Sequence, residues 1–291
     1  MTYTLAIGDR TYSSWSLRGW LLFAAFDIPF TERRAQMLTP GFAEMLKDFG
    51  LAKTVPALLV DDTYAVTDSL AIVETLAELE PDAGHYPSDP ADRAMARNLV
   101  SEMHSGFTAL RGACPMNVAH AWAGFVPDEA VLADLARLET LWAAARAPGR
   151  DGPWLFGQYT AADAFFAPVA ARIAGYGLPV GADAMAYVDA HLAHGPFRRW
   201  RAMGIAQNRV MERYVLPFDQ APWPGPARLP AEAVTGMTPI NATCPYSGDP
   251  VREDSLARIN GTVIGYCNPF CRDKSVADPE AWPQTMALLA P

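Results

Sequence analysis

Hydrophobic and polar positions alternate with two different periodicities in the first part of the chain, one typical of strands and one typical of helices. Residues 2–7 and 55–60 are short β-rich runs, and 64–66 follows a two-aspartate turn, which is typical of a β-hairpin. Residues 16–26 and 70–80 instead repeat apolar side chains at helical spacing. The order strand, helix, optional second helix, strand, strand, helix predicts a small α/β domain over residues 1–82.

The middle and the end of the chain have different patterns. Residues 90–205 contain almost no strand signal, and Thr160-Ala-Ala-Asp163 stands before an apolar run in the layout of a helix capping box. We therefore predict an all-helical domain there. Prolines at 217, 222, 224, 226, 230 and 239 disfavour helices and central strands, so 206–240 is predicted as a linker. A cysteine-rich module is predicted over 241–291.

Composition narrows the classes of function. With 291 residues, of which 51% are hydrophobic and 19% charged, the chain is typical of a globular protein and not of a disordered one. A net charge of −9 argues against a partner such as nucleic acid or an anionic membrane surface. No apolar run approaches the ~20 residues of a membrane span, and the first residues lack the pattern of a secretory signal. We expect a cytoplasmic protein.

Hydroxyl and carboxyl side chains stand at two predicted helix starts. Ser13 and Ser14 open the first helix and Asp68-Ser69 opens the one after the hairpin. Such residues are often only N-caps. Helix starts also stabilise anions, including a thiolate or a carboxylate. Val55-Pro56 heads a strand, where a cis bond would leave the Val55 backbone free to pair with an extended peptide.

These features resemble those of the cytosolic glutathione transferases, over residues 1–205. The motifs that carry the resemblance are Tyr12-Ser-Ser-Trp-Ser-Leu-Arg18, Lys53-Thr-Val-Pro56, Thr67-Asp-Ser-Leu-Ala-Ile72 and Thr160-Ala-Ala-Asp163. Together with Glu102-Met-His-Ser-Gly-Phe107 and Pro115-Met-Asn117, the first motif is similar to that of a bacterial branch with a serine-type, zeta-like first helix. The resemblance implies a thioredoxin-like α/β domain followed by an all-α domain, and glutathione as co-substrate.

The resemblance also implies roles for particular residues. Ser13, with Ser14 in reserve, would hydrogen-bond the glutathione thiolate. Val55 would pair with the cysteinyl backbone, and Asp68 and Ser69 would receive the γ-glutamyl end. Lys53 would face the glycine carboxylate, although Thr54 stands where the family often has Lys or Gln.

A second-substrate pocket is expected from the first helices of the helical domain. His104, Phe107 and Arg111 are its candidates by position, and His104 and Arg111 share a helix face because they are seven residues apart. His104 could equally be a polar core or dimer-face residue. Cys114 is interpreted as a small buried hydrophobic residue.

The other three cysteines define the last module. Cys244, Cys267 and Cys271 are spaced Cys-x22-Cys-x3-Cys, with a Pro/Gly turn around the first and a predicted hairpin before the pair. This layout resembles small metal-binding modules of the TRASH/YHS type, and three thiolates suit soft or borderline ions such as Zn²⁺ or Cu⁺. The alternatives are reduced, packed cysteines, a disulfide between Cys267 and Cys271, or a purely structural metal.

The sequence thus predicts a glutathione transferase that activates the glutathione thiol for conjugation to, or isomerisation of, a small electrophile. The alternative is a non-catalytic scaffold of the same fold whose tail handles or senses metal. A glutathione-dependent reductase or peroxidase is a third reading, which Ser13 disfavours because serine cannot form a mixed disulfide. The resemblance also implies a homodimer.

Overall fold

The computed structural model describes residues 1–146 and 150–290. Contacts between residues divide the chain into two units. The first unit consists of Met1–Leu192 and Arg213–Pro224, and the second of Ala193–Glu212 and Gly225–Pro291. The second unit therefore takes in the last part of the predicted helical domain as well as the tail. The domain boundaries derived from composition remain a prediction.

The first unit begins with a mixed four-stranded sheet flanked by helices. The sheet has the order β2-β1-β3-β4; β1 and β2 are parallel, and the other two pairs are antiparallel. The parallel pair is joined through the first helix, as parallel strands require. The elements are β1 Tyr3–Ile7, α1 Ser14–Ala24, β2 Thr31–Arg34, α2 Pro40–Leu46, β3 Ala57–Val60, β4 Tyr64–Val66 and α3 Ser69–Leu79.

Burial explains why most of these elements could be predicted. The central strands β1 and β3 bury Leu5, Ile7 and Leu58 completely, so their sequences are continuous apolar runs. The β2 strand Thr31–Arg34 was missed because its residues are polar and mostly exposed at the sheet edge. The α/β architecture predicted for this part of the chain is confirmed.

The middle of α1 packs closely against Pro56. Gly19 lies on the face of α1 that meets Pro56, and a Cβ atom at position 19 would lie 2.6 Å from Pro56 Cβ. Any larger residue would push the helix away from this turn. The Val55–Pro56 bond is cis, as the sequence interpretation supposed.

The rest of the first unit is mainly helical. Almost every residue of α7 is buried, and this helix packs against both α1 and α4. The predicted capping box at its start is present. A short antiparallel pair, β5 with β6, is an addition to the predicted helices. The elements are α4 Pro90–Ser105, α5 Thr108–Ala113, β5 Ala121–Ala123, α6 Glu129–Ala145, α7 Ala161–Tyr176, α8 Ala182–Ala193 and β6 Asp219–Ala221.

The second unit combines one long helix with a small sheet and two short helices. The antiparallel sheet has the order β7-β8-β9, so the proline-rich segment contributes an edge strand, where proline-flanked strands are tolerated. A small core forms around Ile259, Ile264 and Tyr266. The elements are α9 Gly195–Ala206, β7 Ala231–Val234, β8 Leu256–Ile259, β9 Thr262–Gly265, α10 Pro269–Ala277 and α11 Pro283–Ala287.

Helix α9 is attached to the tail by packing and by charge. It makes extensive contacts with α10 and buries Phe197 and Trp200. Arg198 of α9 donates from Nε to Asp278 at 2.9 Å and from Nη2 to the same carboxylate at 2.6 Å. No helix within the described residues is long and apolar enough to cross a bilayer.

Candidate active site

The start of α1 presents two serines in different surroundings. Ser13 is the N-cap: its Oγ accepts from the Ser16 N–H at 3.2 Å and lies 2.8 Å from Ser16 Oγ. Ser16 Oγ in turn accepts from the N–H of Gly8 at 3.0 Å. Ser14 is the first helical residue, and Arg172 of α7 approaches its hydroxyl. The N-cap interpretation of Ser13 is therefore confirmed, and both serines also line a cavity.

That cavity has a volume of about 760 Å³ and opens at the start of α1. Its walls come from α1, from the first helices of the helical part and from α7. The lining residues are Tyr12, Ser13, Ser14, Trp15, Met37, His104, Ser105, Thr108, Arg111, Gly112, Pro115, Met116, Arg172, Arg213 and Tyr214.

A second cavity, of about 320 Å³, adjoins the first because Trp15 and His104 line both. It is lined by Trp15, Thr54, Val55, Pro56, Thr67, Asp68, Ser69 and His104. The structure thus brings the predicted strand edge and the second helix start together, next to the first helix start.

The start of α3 forms a candidate anion-binding position in the second cavity. Asp68 is the N-cap, and its Oδ1 accepts from the Leu70 N–H at 2.7 Å. Ser69 is 1% exposed, and its Oγ has no hydrogen-bond partner among the described residues. A buried hydroxyl without a partner is costly, so a ligand oxygen there would satisfy it.

His104, on α4 of the helical part, contacts both this anion-binding position and the start of α1. Its Nε2 lies 3.7 Å from Asp68 Oδ2, and its ring meets the Trp15 ring edge-on at 5.3 Å. Arg111 also lies at the cavity, donating from Nη1 to the His104 carbonyl at 3.2 Å. Two of the three residues predicted for the second pocket, His104 and Arg111, therefore line the first cavity.

Two predicted residues lie elsewhere. Lys53 is exposed and lines neither of the two cavities, where Thr54 is found instead. Phe107 is buried at the start of α5 with a positive φ of 56° and does not line the first cavity.

Sequence reasoning missed the contribution of α7 and of the segment after α9. Arg172 is 5% exposed and lines the first cavity; a lone arginine in the apolar run of α7 was the available signal. The Tyr214 ring, from a segment predicted as linker, contacts the Tyr12 ring at a centroid distance of 4.7 Å. No local pattern reveals that contact, since it joins residues two hundred positions apart.

Positive charge dominates the first cavity. Burial, together with the neighbouring charge of Arg111, lowers the pKa of Arg172 to about 10, which leaves the guanidinium charged at neutral pH. Burial likewise lowers the pKa of Arg111. Behind them, the buried Arg18 lies 4.5 Å over the Trp15 ring. Among the described lining residues of this cavity there is no Asp or Glu.

Comparison with known proteins connects this geometry to a fold. The family model for the glutathione S-transferase N-terminal domain matches residues 12–79. A glutathione transferase homologue from Burkholderia gl BGR1, solved with bound glutathione, superposes with a TM-score of 0.53 at 23% identity, covering 70% of this chain and 98% of its own. Omega 2S glutathione transferase from Trametes versicolor gives 0.54 at 21% identity, covering 71% and 96%. The chain has the glutathione transferase fold.

A curated relative is similar over a shorter stretch. The probable maleylacetoacetate isomerase of Caenorhabditis elegans is 33% identical over 101 residues, or 35% of this chain. The match spans 46% of that relative's length. Within the glutathione transferase fold, the matched N-terminal domain carries Ser13, Ser14, Val55, Asp68 and Ser69. The thioredoxin-like domain and the helical domain of the predicted fold class are both confirmed.

The tail appended to the glutathione transferase fold gathers three sulfur atoms. The Sγ atoms of Cys244, Cys267 and Cys271 all lie within 4.8 Å of one another, and all three cysteines are free. Ser247 and Asn268 donate to Cys267 Sγ at 3.4 and 3.2 Å. Within residues 1–146 and 150–290, no His, Asp or Glu joins this group.

Backbone N–H groups favour the ionised form of the Cys244 thiol. Burial raises the pKa of Cys244, but hydrogen bonds from the backbone of Tyr246, Cys267 and Ser247 outweigh it and lower that pKa to about 7. Burial raises the pKa of Cys271 to about 12. The predicted disulfide alternative is not the arrangement seen here, since Cys267 and Cys271 Sγ are 4.0 Å apart.

Proposed function

We propose that this chain is a glutathione S-transferase that ionises the glutathione thiol for attack on a small, anionic electrophile. One observation supports the proposal: the two adjoining cavities, which share Trp15 and His104, are lined by the starts of α1 and α3 and by the Val55–Pro56 strand edge. Val55 would pair with the cysteinyl backbone, and Asp68 and Ser69 would bind the γ-glutamyl end. The proposed role of Lys53 is to bind the glycine carboxylate, at the solvent-exposed end of the bound glutathione.

The chemistry requires little proton transfer from the protein. A free thiol with a pKa near 8.5 is only a few per cent ionised at pH 7. A hydroxyl of Ser13 or Ser14 that donates to the thiolate, together with the N-terminus of α1, favours the ionised form. Lowering the thiol pKa by ~2 units corresponds to about 2.7 kcal/mol.

The thiolate then attacks an electrophilic carbon in the first cavity. In conjugation, the new S–C bond forms as the leaving group departs with its electron pair. In isomerisation, the thiolate adds to a conjugated double bond, the adduct rotates about the resulting single bond, and the thiolate is expelled. The arginines around the cavity favour an electrophile with a carboxylate, and the relative named as a maleylacetoacetate isomerase supports the second outcome.

Retention on glutathione resin and turnover assays test this function. We expect binding to immobilised glutathione, and faster turnover of maleylacetone than of the neutral electrophile 1-chloro-2,4-dinitrobenzene. Arg111→Met should raise the KM for the anionic substrate about tenfold, while the KM for the neutral one stays constant. Absence of both binding and turnover would favour the non-catalytic scaffold instead.

The tail supports a second function, the binding of a thiophilic metal ion such as zinc by Cys244, Cys267 and Cys271. The observation that favours it is the convergence of three free sulfurs, one of them receiving backbone N–H bonds. Such donors stabilise thiolate ligands, and thiolates suit zinc or copper(I). Whether this metal is structural, handled or sensed follows from its affinity and exchange rate, which metal-competition titrations measure.

Assembly and location also belong to this proposal. A homodimer is proposed from the fold family and from exposed apolar side chains in the first unit, of which Leu51 is the most exposed at 94%. A cytoplasmic location is proposed because the co-substrate is a cytoplasmic thiol. Nucleic acid and membranes are not expected as partners at a net charge of −9.

A further inference from the structure

Arg172 is held rigidly inside the first unit although no described carboxylate forms an ion pair with it. Its Nε donates to the carbonyl of Cys114 at 2.8 Å, and its Nη1 donates to the carbonyl of Pro168 at 3.1 Å. These two bonds fix the plane of the guanidinium. Neutral oxygen acceptors do not cancel the charge of a buried guanidinium, so placing it inside the fold is costly.

The remaining edge of the guanidinium points to the start of α1. Nη2 of Arg172 lies 3.5 Å from Ser14 Oγ and donates to it. A hydroxyl oxygen that faces a cationic donor has its own proton directed elsewhere. Ser14 is 9% exposed and lines the first cavity, so its hydroxyl proton is available to a ligand atom in that cavity.

Ser13 is arranged differently. Its oxygen is engaged by the Ser16 N–H and lies next to Ser16 Oγ, as expected of an N-cap, and no described cation bonds to it. Removing Ser13 therefore removes a helix cap, whereas removing Ser14 removes a hydroxyl polarised by a fixed positive charge. Ser13 thus has a structural position as an N-cap, whereas Ser14 has the position expected of a hydrogen-bond donor to a ligand.

We propose that Arg172 is a positioning residue that turns the Ser14 hydroxyl toward the bound glutathione sulfur and supplies the fixed charge that keeps that sulfur ionised. The inference rests on the proposed glutathione activity and assigns it a residue outside the matched N-terminal domain. The charged and titratable groups around the same space, from each element packed there, are Tyr12, Arg18, Asp68, His104, Arg111, Cys114, Tyr176, Arg213 and Tyr214.

The test is a titration of the thiol of bound glutathione, followed by the ultraviolet absorbance of the thiolate. Arg172→Met should raise the pKa of the bound thiol by about one unit or more, the shift expected when a nearby opposite charge is removed. The thiolate fraction at neutral pH then falls about tenfold. Ser14→Ala should raise the pKa in the same direction. Arg137→Met, on an exposed pair with Glu102, is the matched control and should leave it unchanged.

A double-mutant cycle separates positioning from general electrostatics. If Arg172 acts through Ser14, the effects of Ser14→Ala and Arg172→Lys on the thiol pKa are non-additive. Because Arg172→Met also loses two buried hydrogen bonds, its glutathione affinity is measured in parallel. If that variant does not fold, Ser14→Ala and the milder Arg172→Lys decide the question.

The outcomes are distinct. A wild-type protein that binds no glutathione, or binds it with an unshifted thiol pKa, overturns the proposed function and this inference with it. A lowered thiol pKa that rises only in Ser13→Ala, and not in the Ser14 or Arg172 variants, overturns the inference alone and assigns the thiolate to Ser13.

Discussion

Asp163, at the start of α7, provides a quantitative test of how this fold is held together. Its buried carboxylate accepts four hydrogen bonds, from Thr160 N–H at 2.8 Å, Thr160 Oγ at 3.0 Å, Leu155 N–H at 3.2 Å and Tyr187 O–H at 2.8 Å. Asp163→Ala leaves at least three buried donors without an acceptor. At ~1–3 kcal/mol each and with incomplete additivity, we expect a loss of about 3–5 kcal/mol in the free energy of unfolding.

A matched substitution isolates the effect of burial. Asp128 is an exposed N-cap of α6 whose Oδ1 accepts one hydrogen bond, from Val131 N–H at 2.8 Å. Asp128→Ala should therefore cost only ~1 kcal/mol. Urea unfolding followed by tryptophan fluorescence is suited to both variants, because Trp142 packs 4.8 Å from the Tyr187 ring. Equal losses in the two variants would refute the argument from buried donors.

The same carboxyl group predicts a pH dependence. Burial raises the pKa of Asp163 to about 6, despite the hydrogen bonds that lower it. The folded protein therefore binds a proton between pH ~4 and ~6 that the unfolded chain, with an Asp pKa near 3.9, has already released. This contribution to stability is present at low pH and is lost as the pH rises through about 6. The difference in stability between wild type and Asp163→Asn should change over that window, and a constant difference would contradict the assignment.

Three further results are expected. Ser69→Ala should weaken glutathione binding by about five- to tenfold in calorimetry, since it removes a buried donor, and an unchanged Kd would exclude Ser69 from the site. Wild type purified without chelator should contain close to one metal ion per chain by mass spectrometry, and Cys267→Ser should lose it; metal-free wild type would show that the cysteines only pack. Leu51→Asp should halve the mass found by light scattering to 31.6 kDa, and a wild type already at 31.6 kDa would reject the homodimer.

The sequence predicted best those strands and helices whose buried residues recur with a regular period. The strands β1 and β3 and helices α1 and α3 combine clear periodicity with caps at Ser13 and Asp68, and all were found where expected. The polar edge strand Thr31–Arg34 escaped because its pairing depends on the neighbouring strand and not on its own side chains.

The site was only half predictable for a related reason. Residues at helix starts, such as Ser69, are marked by local capping patterns, but Arg172 and Tyr214 reach the cavity by tertiary packing alone. The tail illustrates the same limit. Its predicted bounds, 241–291, leave out Phe197 and Trp200 of α9, whose buried side chains belong to the same unit. Removal of the proposed metal is therefore expected to loosen the loop around Cys244 and not to unfold the unit.

The return of residues 213–221 to the first unit has a consequence for how such a chain can be recombined. The Tyr214 ring contacts the Tyr12 ring and β6 pairs with β5, although the intervening helix α9 belongs to the other unit. A truncation or gene fusion placed at the end of the helical domain, near residue 206, would remove part of the wall of the first cavity together with the tail. The cavity wall and the cysteine module therefore lie on a single stretch of sequence, and recombination at that point changes both.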